Sequence, residues 1–165
     1  MVAAGEINSH GPELDIMGEI LPGWRVIANY ANQDVRVIKG DVDSGSLLQG
    51  NRPMNVPRNI GSFWTTYEFQ QGFLQGLKLG GGVTLRDDVT SFYNDYHSPG
   101  FGLVSLMGGY GFRAGDSKIH VQLNVENLLN ENYVTNVWPQ GELSNMALAN
   151  YGTPRSFLGL IGVEF

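Results

Sequence analysis

The sequence predicts an all-β chain: an antiparallel transmembrane β-barrel segment of about seven strands. Three observations carry that prediction. Apolar and polar residues alternate with period two, connections alternate strictly between short and long, and outward aromatics gather at the short-connection end. Period-two alternation gives a strand one apolar and one polar face. In a soluble sandwich the apolar face meets another sheet; in an outer-membrane barrel it meets lipid and the polar face lines the lumen.

Pro12 to Ile20 alternates Leu14, Ile16 and Ile20 against Glu13, Asp15 and Glu19, and so predicts a first strand with an acidic inner face. Leu21-Pro22-Gly23 is a tight turn by its Pro-Gly pair. Trp24, Val26, Ala28 and Tyr30 set the phase of a second strand running to about Lys39, followed by a long loop at 40–57. Asn59 to Phe69 places Phe63, Thr65, Tyr67 and Phe69 opposite Ser62, Trp64, Thr66 and Glu68. After a short link at 70–76, Leu77, Leu79, Val83 and Leu85 alternate with Lys78, Thr84 and Arg86, and 87–100 reads as loop. Phe101 to Arg113 is phased with Val104, Leu106, Tyr110 and Phe112 outward, and 114–117 is a turn. Lys118 to Leu128 alternates Ile119, Val121, Leu123 and Val125 with His120, Gln122, Asn124 and Glu126. A long loop at 129–153 then leads to the last strand, Pro154 to Phe165.

Short periplasmic turns and long extracellular loops produce this alternation of connections. Trp24, Tyr67, Phe69, Tyr110, Phe112 and Phe165 all lie in the outward phase next to short turns or the chain end. They match the periplasmic half of an aromatic girdle, where amphipathic rings sit at headgroup level. Aromatics capping a soluble core would have to reproduce phase, end and loop length by coincidence.

Composition agrees. Charged residues are 16% of the 165, below the roughly 25% of soluble domains, and the mean hydropathy of -0.14 suits strands that spend half their residues on a wet lumen. No run is long and apolar enough for a membrane helix. A net charge of -6 without a basic patch argues against nucleic acid, and the absence of cysteine excludes disulfides and thiolate metal sites. Met1 to Gly5 lacks the basic and apolar regions of a signal peptide, and seven is an odd number where single-chain bacterial barrels have an even one. Both features predict a single-domain piece, 1–165, from the C-terminal part of a larger barrel. An eighth strand hidden in residues 1–10 is the alternative, and that stretch is short and polar.

Several segments also match a known pattern. Gly5-Glu6-Ile7-Asn8-Ser9-His10-Gly11-Pro12-Glu13-Leu14-Asp15 with Pro22-Gly23-Trp24, the segment Gly50 to Arg58, Val125-Glu126-Asn127-Leu128-Leu129-Asn130-Glu131-Asn132-Tyr133, and Tyr151-Gly152-Thr153-Pro154-Arg155 with a terminal Phe stand in order along the chain. Together they resemble the TonB-dependent siderophore receptors, with Leu129 and Asn130 replacing Phe and Asp of that family's pattern. The resemblance implies a bacterial outer-membrane receptor of 22 strands with an N-terminal plug, importing a ferric siderophore with energy passed by TonB. It implies no other cofactor, and it puts the plug and the TonB-contacting segment ahead of these residues. It also implies that the barrel-insertion machinery reads the terminal Phe165.

No enzyme is predicted: the Ser residues lack His-Asp partners, and Gly80-Gly81-Gly82 lacks a phosphate loop's helix and Lys. A glycine run in mid-strand predicts close backbone approach, here to a lumen-facing plug. His10, His97 and His120 are scattered, and Asp87, Asp88 and Asp95 read as solvated loop acids rather than a cation site. Ligand contact is expected from aromatics of the long loops: Phe92, Tyr93 and Tyr96 beside His97 in one, and Tyr133, Trp138 and Tyr151 in the other. A loop ring serves local packing as often as binding. Tyr133 and Tyr151 flank strand ends and could pin the last loop, whereas Trp138 has no evident structural duty. Two other functions compete: a small self-contained outer-membrane barrel with a structural or adhesive role, and a soluble β-sandwich binding module.

Overall fold

The computed structural model describes residues 5–40, 49–139 and 147–165. Thirteen strands are present among them: β1 (Glu6–His10), β2 (Glu13–Leu21), β3 (Trp24–Asn32), β4 (Asp34–Lys39), β5 (Asn59–Glu68), β6 (Leu77–Arg86), β7 (Val89–Thr90), β8 (His97–Ser98), β9 (Phe101–Ala114), β10 (Ser117–Glu126), β11 (Val134–Pro139), β12 (Ala147–Tyr151) and β13 (Ser156–Glu164). Seven form one antiparallel meander in the order β13-β10-β9-β6-β5-β3-β2. Each is 9 to 14 residues long, and a tilted strand needs roughly 9–11 residues to cross a bilayer.

Register joins the seven alternations into one surface. Across the sheet Ile16 faces Ala28, Ala28 faces Phe63, Phe63 faces Val83, and Val83 faces Val104. Nearer the short turns, Leu77 faces Tyr110, Tyr110 faces Val121, and Val121 faces Ile161. A slip of one residue in any strand would turn its apolar set to the other side. Leu14, Phe63, Leu85, Leu123, Phe157 and Ile161 are exposed on this face, so no layer of the described residues covers it. The opposite face carries Asp15, Arg25, Ser62, Lys78, Thr84, Gln122 and Glu126. It is the polar face of a partial barrel, and the free edges of β2 and β13 lack strand partners among the described residues.

The short turns lie where the spacing predicts. Gly23 (φ 82°) and Gly115 (φ 63°) hold left-handed backbone in two of them, and a 3-10 turn, Gly72–Leu74, fills the third. Aromatic rings cluster there: Tyr67 meets Phe69 edge-on at 5.0 Å, Tyr110 stacks near Phe112 at 5.9 Å, and Trp24 is the register partner of Tyr67. The Trp24 indole N–H donates to Thr65 Oγ1 at 2.8 Å.

Four expectations need correction. The strand expected from Trp24 to Lys39 breaks at Gln33, because the Gln33 N–H donates to the Arg58 carbonyl and leaves the ladder. Beyond the break β4 pairs with β1, so residues 6–10 do form a strand, but one that prolongs the β2–β3 hairpin outside the seven-stranded sheet. The stretches 87–100 and 129–153 are not plain loops; they contain the pairs β7–β8 and β11–β12. The strand expected to reach Leu128 stops at Glu126, since Asn127 takes φ 50°.

Gly82 has a local cause. A β-carbon there would sit 2.3 Å from the Phe63 carbonyl and 2.5 Å from the Trp64 ring, so glycine makes room for the inward indole of the neighbouring strand.

Candidate functional site

The buried side chains of the described residues lie mostly at the long-connection end. Val35 and Val37 of β4, Val89 of β7, Ser98 of β8 and Val137 of β11 are all buried. The long connections have therefore condensed into a small shared core, and three polar ties bind them to one another.

Asn55 is the first. It holds φ 61°, a left-handed backbone that Asn tolerates better than most residues. Its Nδ2 donates to the Val137 carbonyl at 3.0 Å, and its Oδ1 accepts from the Val137 N–H at 2.8 Å. One side-chain amide thus replaces a strand partner for the central residue of β11, while the Asn55 N–H donates to the Thr90 carbonyl at 3.1 Å.

Arg52 and Asp88 form the second tie. Arg52 Nη2 donates to Asp88 Oδ2 at 2.9 Å, and His97 Nδ1 lies 3.1 Å from the same oxygen. The His97 hydrogen bond, then Arg52, hold the Asp88 carboxyl below its ordinary range despite partial desolvation. Asn94 (φ 57°) accepts from the Arg52 N–H at 2.9 Å and donates back to the Arg52 carbonyl at 2.9 Å. The acids of this loop are accordingly engaged rather than solvated as expected: Asp87 accepts from Asn59 and Asp95 from Ser91.

Arg86 supplies the third. Its Nη1 and Nη2 donate to the Thr135 and Val134 carbonyls at 2.6 and 2.8 Å, and its guanidinium lies 4.5 Å over the Phe101 ring. Phe101 packs against Tyr133 at 4.4 Å.

Two of the segments that carry the resemblance, 125–133 and 151–155, meet here. Asn127, 4% exposed, accepts from the Glu131 N–H and donates to the Glu131 and Thr153 carbonyls. Asn130 (φ 55°) accepts from the Arg155 N–H at 3.0 Å, and Arg155 Nη1 reaches the Leu128 carbonyl at 3.3 Å. The Tyr133 ring lies flush on Gly152, where a β-carbon would come within 1.9 Å of it. Each segment is a half of one staple fixing the entry to β13.

The aromatic candidates therefore separate. Tyr133 is packed into the staple, as its strand-end position suggested. Tyr151 is not pinned: it is 78% exposed. Tyr93 and Tyr96 are exposed, with Phe92 edge-on to Tyr93 at 4.9 Å. His97 opens β8, and its exposed ring is tied to Asp88. Trp138 projects outward beside the buried Val137, opposite the exposed Leu148 of β12. Because β11 packs on β7 and β8, Trp138 and the Tyr96-His97 pair belong to one assembly. Among the described residues no three His, Cys, Asp or Glu side chains gather to hold a metal ion. What the cluster offers is a rigid base carrying exposed rings.

The model of the TonB-dependent receptor-like β-barrel matches residues 1–128. The chain belongs to that family. The ferrioxamine B receptor of Salmonella typhimurium is 32% identical over 163 residues, which are 98% of this chain and 22% of that receptor. The solved structure of the siderophore receptor PiuA from Acinetobacter baumannii superposes with a TM-score of 0.76 at 26% identity, covering 97% of this chain and 22% of that one. BauA, the ferric preacinetobactin receptor of the same organism, shares the fold with a TM-score of 0.77 at 23% identity, over 98% of this chain and 22% of its own. The chain thus spans about a fifth of the length of the receptors it matches.

Arg52, Asn55, Arg86 and Asn94 have roles that sequence reasoning missed. An Asn bridging two loops leaves no period in the sequence. Arg86, the last inward residue of a strand beside a long loop, was the one with a usable signal.

Proposed function

We propose that these residues form part of the barrel wall and the extracellular loop cluster of an outer-membrane receptor that takes up ferric siderophores. The single observation that carries the reading is the union of one uncovered apolar face with an interlocked loop cluster displaying Trp138, Tyr96 and Tyr93 at the long-connection end. A sandwich would cover the first, and a merely structural barrel has no use for the second. Relatives named for ferrioxamine B and for pyoverdine binding support the ligand class, as does the description of the Escherichia coli relative as a ferrichrome outer membrane transporter.

In this reading the seven strands cross the bilayer with the short turns in the periplasm, and lipid wets Leu123, Val125 and their row. TonB engages a segment ahead of these residues. Phe165, fully exposed beyond β13, is the terminal aromatic presented to the insertion machinery. The iron arrives already chelated, so the chain needs aromatic and polar surface rather than a cofactor of its own. Trp138 is the leading contact, with Tyr96, His97 and Tyr93 beside it and Tyr151 further along the same hairpin. An aromatic anchor is worth about 1–3 kcal/mol or more when truncated at a binding hot spot. Trp138→Ala in the full-length receptor should weaken ferrioxamine B, or whichever ferric chelate of a test panel binds, by about tenfold or more while leaving the barrel folded. Unaltered affinity would remove Trp138 from the site.

A further inference from the structure

Charge is unevenly placed along the chain. The net of -6 resides entirely in the three long connections. Asp41 and Asp43 lie in 40–57, Asp87, Asp88 and Asp95 in 87–100, and Glu131 and Glu142 in 129–153, against a single Lys or Arg, Arg52. Strands and short turns carry nine of each sign. Of the loop acids, Asp41, Asp43 and Glu142 fall outside the described residues. Arg52 is engaged: its side chain is 15% exposed and holds Asp88 at 2.9 Å. At the neighbouring strand ends Arg86 donates to the Thr135 and Val134 carbonyls, Arg155 to the Leu128 carbonyl, and Arg36 pairs with Asp34 at 3.0 Å. Lys39 and Arg58 are exposed, but on β4 and just ahead of β5. The ring-bearing stretches 87–100 and 134–151 hold no Lys or Arg at all, and their one imidazole, His97, faces the Asp88 carboxylate. Asp95, one residue before Tyr96, is exposed. The Ser91 hydrogen bond, then backbone N–H groups, keep its carboxyl below the ordinary range, so it is ionised at neutral pH.

We propose that the chelate taken at this end is neutral or positively charged, a ferric hydroxamate presenting an ammonium group to the Tyr93, Tyr96 and Trp138 rings, and that anionic ferric catecholates and carboxylates are excluded by charge. The inference rests on the siderophore reading above and narrows it to one charge class. Exposed aromatic faces attract a cation through the ring quadrupole. An excess of carboxylates around them strengthens that attraction, repels anions and steers cations inward. Ferric chelates divide on this property. Catecholates are dianions and leave the complex strongly anionic, whereas monoanionic hydroxamates leave it neutral, so a free amine on the ligand makes it a cation. An anionic chelate would need guanidinium or ammonium partners beside the rings, and these stretches supply none.

The test measures binding to the full-length receptor of one linear ferric trihydroxamate in three charge states, with its terminal amine free, N-acetylated or N-succinylated, and of a ferric tris-catecholate. Affinity should fall about fivefold for each unit of positive charge removed, mostly through the association rate, and the tris-catecholate should bind weakest of the four. Raising the salt from about 0.05 to about 0.5 M should compress these differences. Asp95→Asn keeps an acceptor for the Ser91 hydroxyl and removes only the charge. It should lower the preference for the ammonium form about twofold or more and leave the N-acetylated chelate unaffected. Equal affinity for the three charge states, tighter binding of the N-succinylated form or the tris-catecholate than of the ammonium form, or a preference indifferent to both salt and Asp95→Asn would overturn the charge assignment while leaving a siderophore receptor. Binding of no ferric chelate of any charge would instead remove the siderophore reading, and this inference with it.

Discussion

Removing the Asn55 amide should unlock β11. Val137 is 0% exposed, so when Asn55 is truncated its N–H and carbonyl find no water in their place. Each unsatisfied buried group costs about 1–3 kcal/mol; partial relaxation of the hairpin brings the expected total for the two to roughly 2–4 kcal/mol. The choice of substitution matters, because Asn55 sits at φ 61°. Asn55→Ala would add backbone strain of about 1 kcal/mol or more, confusing the two effects, whereas Asn55→Gly removes the amide and accepts the backbone. In the full-length receptor, hydrogen exchange at Val137 reads the opening directly. A loss of 2 kcal/mol corresponds to about thirtyfold faster exchange. The Thr90–His97 pair of β7 and β8 should loosen in step, since β11 packs on both strands. Exchange at Val137 unchanged in Asn55→Gly would refute the idea that this side chain acts as a strand partner.

Other outcomes follow from the same geometry. Leu123→Arg and Val125→Arg should each cost about 2–4 kcal/mol of bilayer folding near the midplane, against a milder effect for Gln122→Arg or Asn124→Arg, as measured by folding titrations into vesicles. Gly152→Ala should displace Tyr133 and reduce protection of 127–133, visible by hydrogen exchange, while Gly159→Ala should not. Asp88 is held below its ordinary pKa, so its contribution to loop stability is fully present above about pH 4 and is lost as pH falls through the lowered value. Proteolytic nicking of the 87–100 segment should therefore rise at strongly acidic pH in the native receptor, and Asp88→Asn should be nicked more readily at neutral pH and respond less to acid. Deleting Phe165 should reduce receptor in outer membranes more than Phe112→Ala; equal reductions, read by immunoblot, would leave Phe165 only a girdle ring.

The seven strands of the sheet were legible because one apolar and one polar face impose a period-two code on every one of them, and register then had little freedom. Gly23, beside Pro22, announced its turn by composition alone. The long connections were opaque for the opposite reason. Their order rests on a few side chains, Asn55, Arg52 and Asn94 above all, whose partners lie 42 or 82 residues away in sequence, and such bridges leave no local pattern. Among the described residues the four non-glycine residues at positive φ are all Asn, namely Asn55, Asn94, Asn127 and Asn130. This residue type hints at left-handed backbone without saying where it is used. The break at Gln33 coincides with a change of apolar phase, from the even positions Trp24, Val26, Ala28 and Tyr30 to the odd positions Val35 and Val37, which the reading of one strand to Lys39 passed over. Those two residues serve the loop core rather than lipid, and period alone cannot tell the two environments apart. Among the candidate contacts, Tyr133 and Tyr151 were weighed alike from motif position, between ligand contact and pinning of the last loop; the Tyr133 ring is packed against Gly152 and Phe101, while the Tyr151 ring stays exposed.

The most direct test is uptake of radiolabelled iron by cells whose only receptor of this type is the full-length protein, offered ferric hydroxamates, catecholates and carboxylates in turn. The predicted result is accumulation from one chelate class, abolished when the inner membrane is de-energised and reduced by Trp138→Ala at limiting chelate. Uptake from none of the classes, or uptake indifferent to the energised state, would contradict the assignment of this chain to a siderophore receptor.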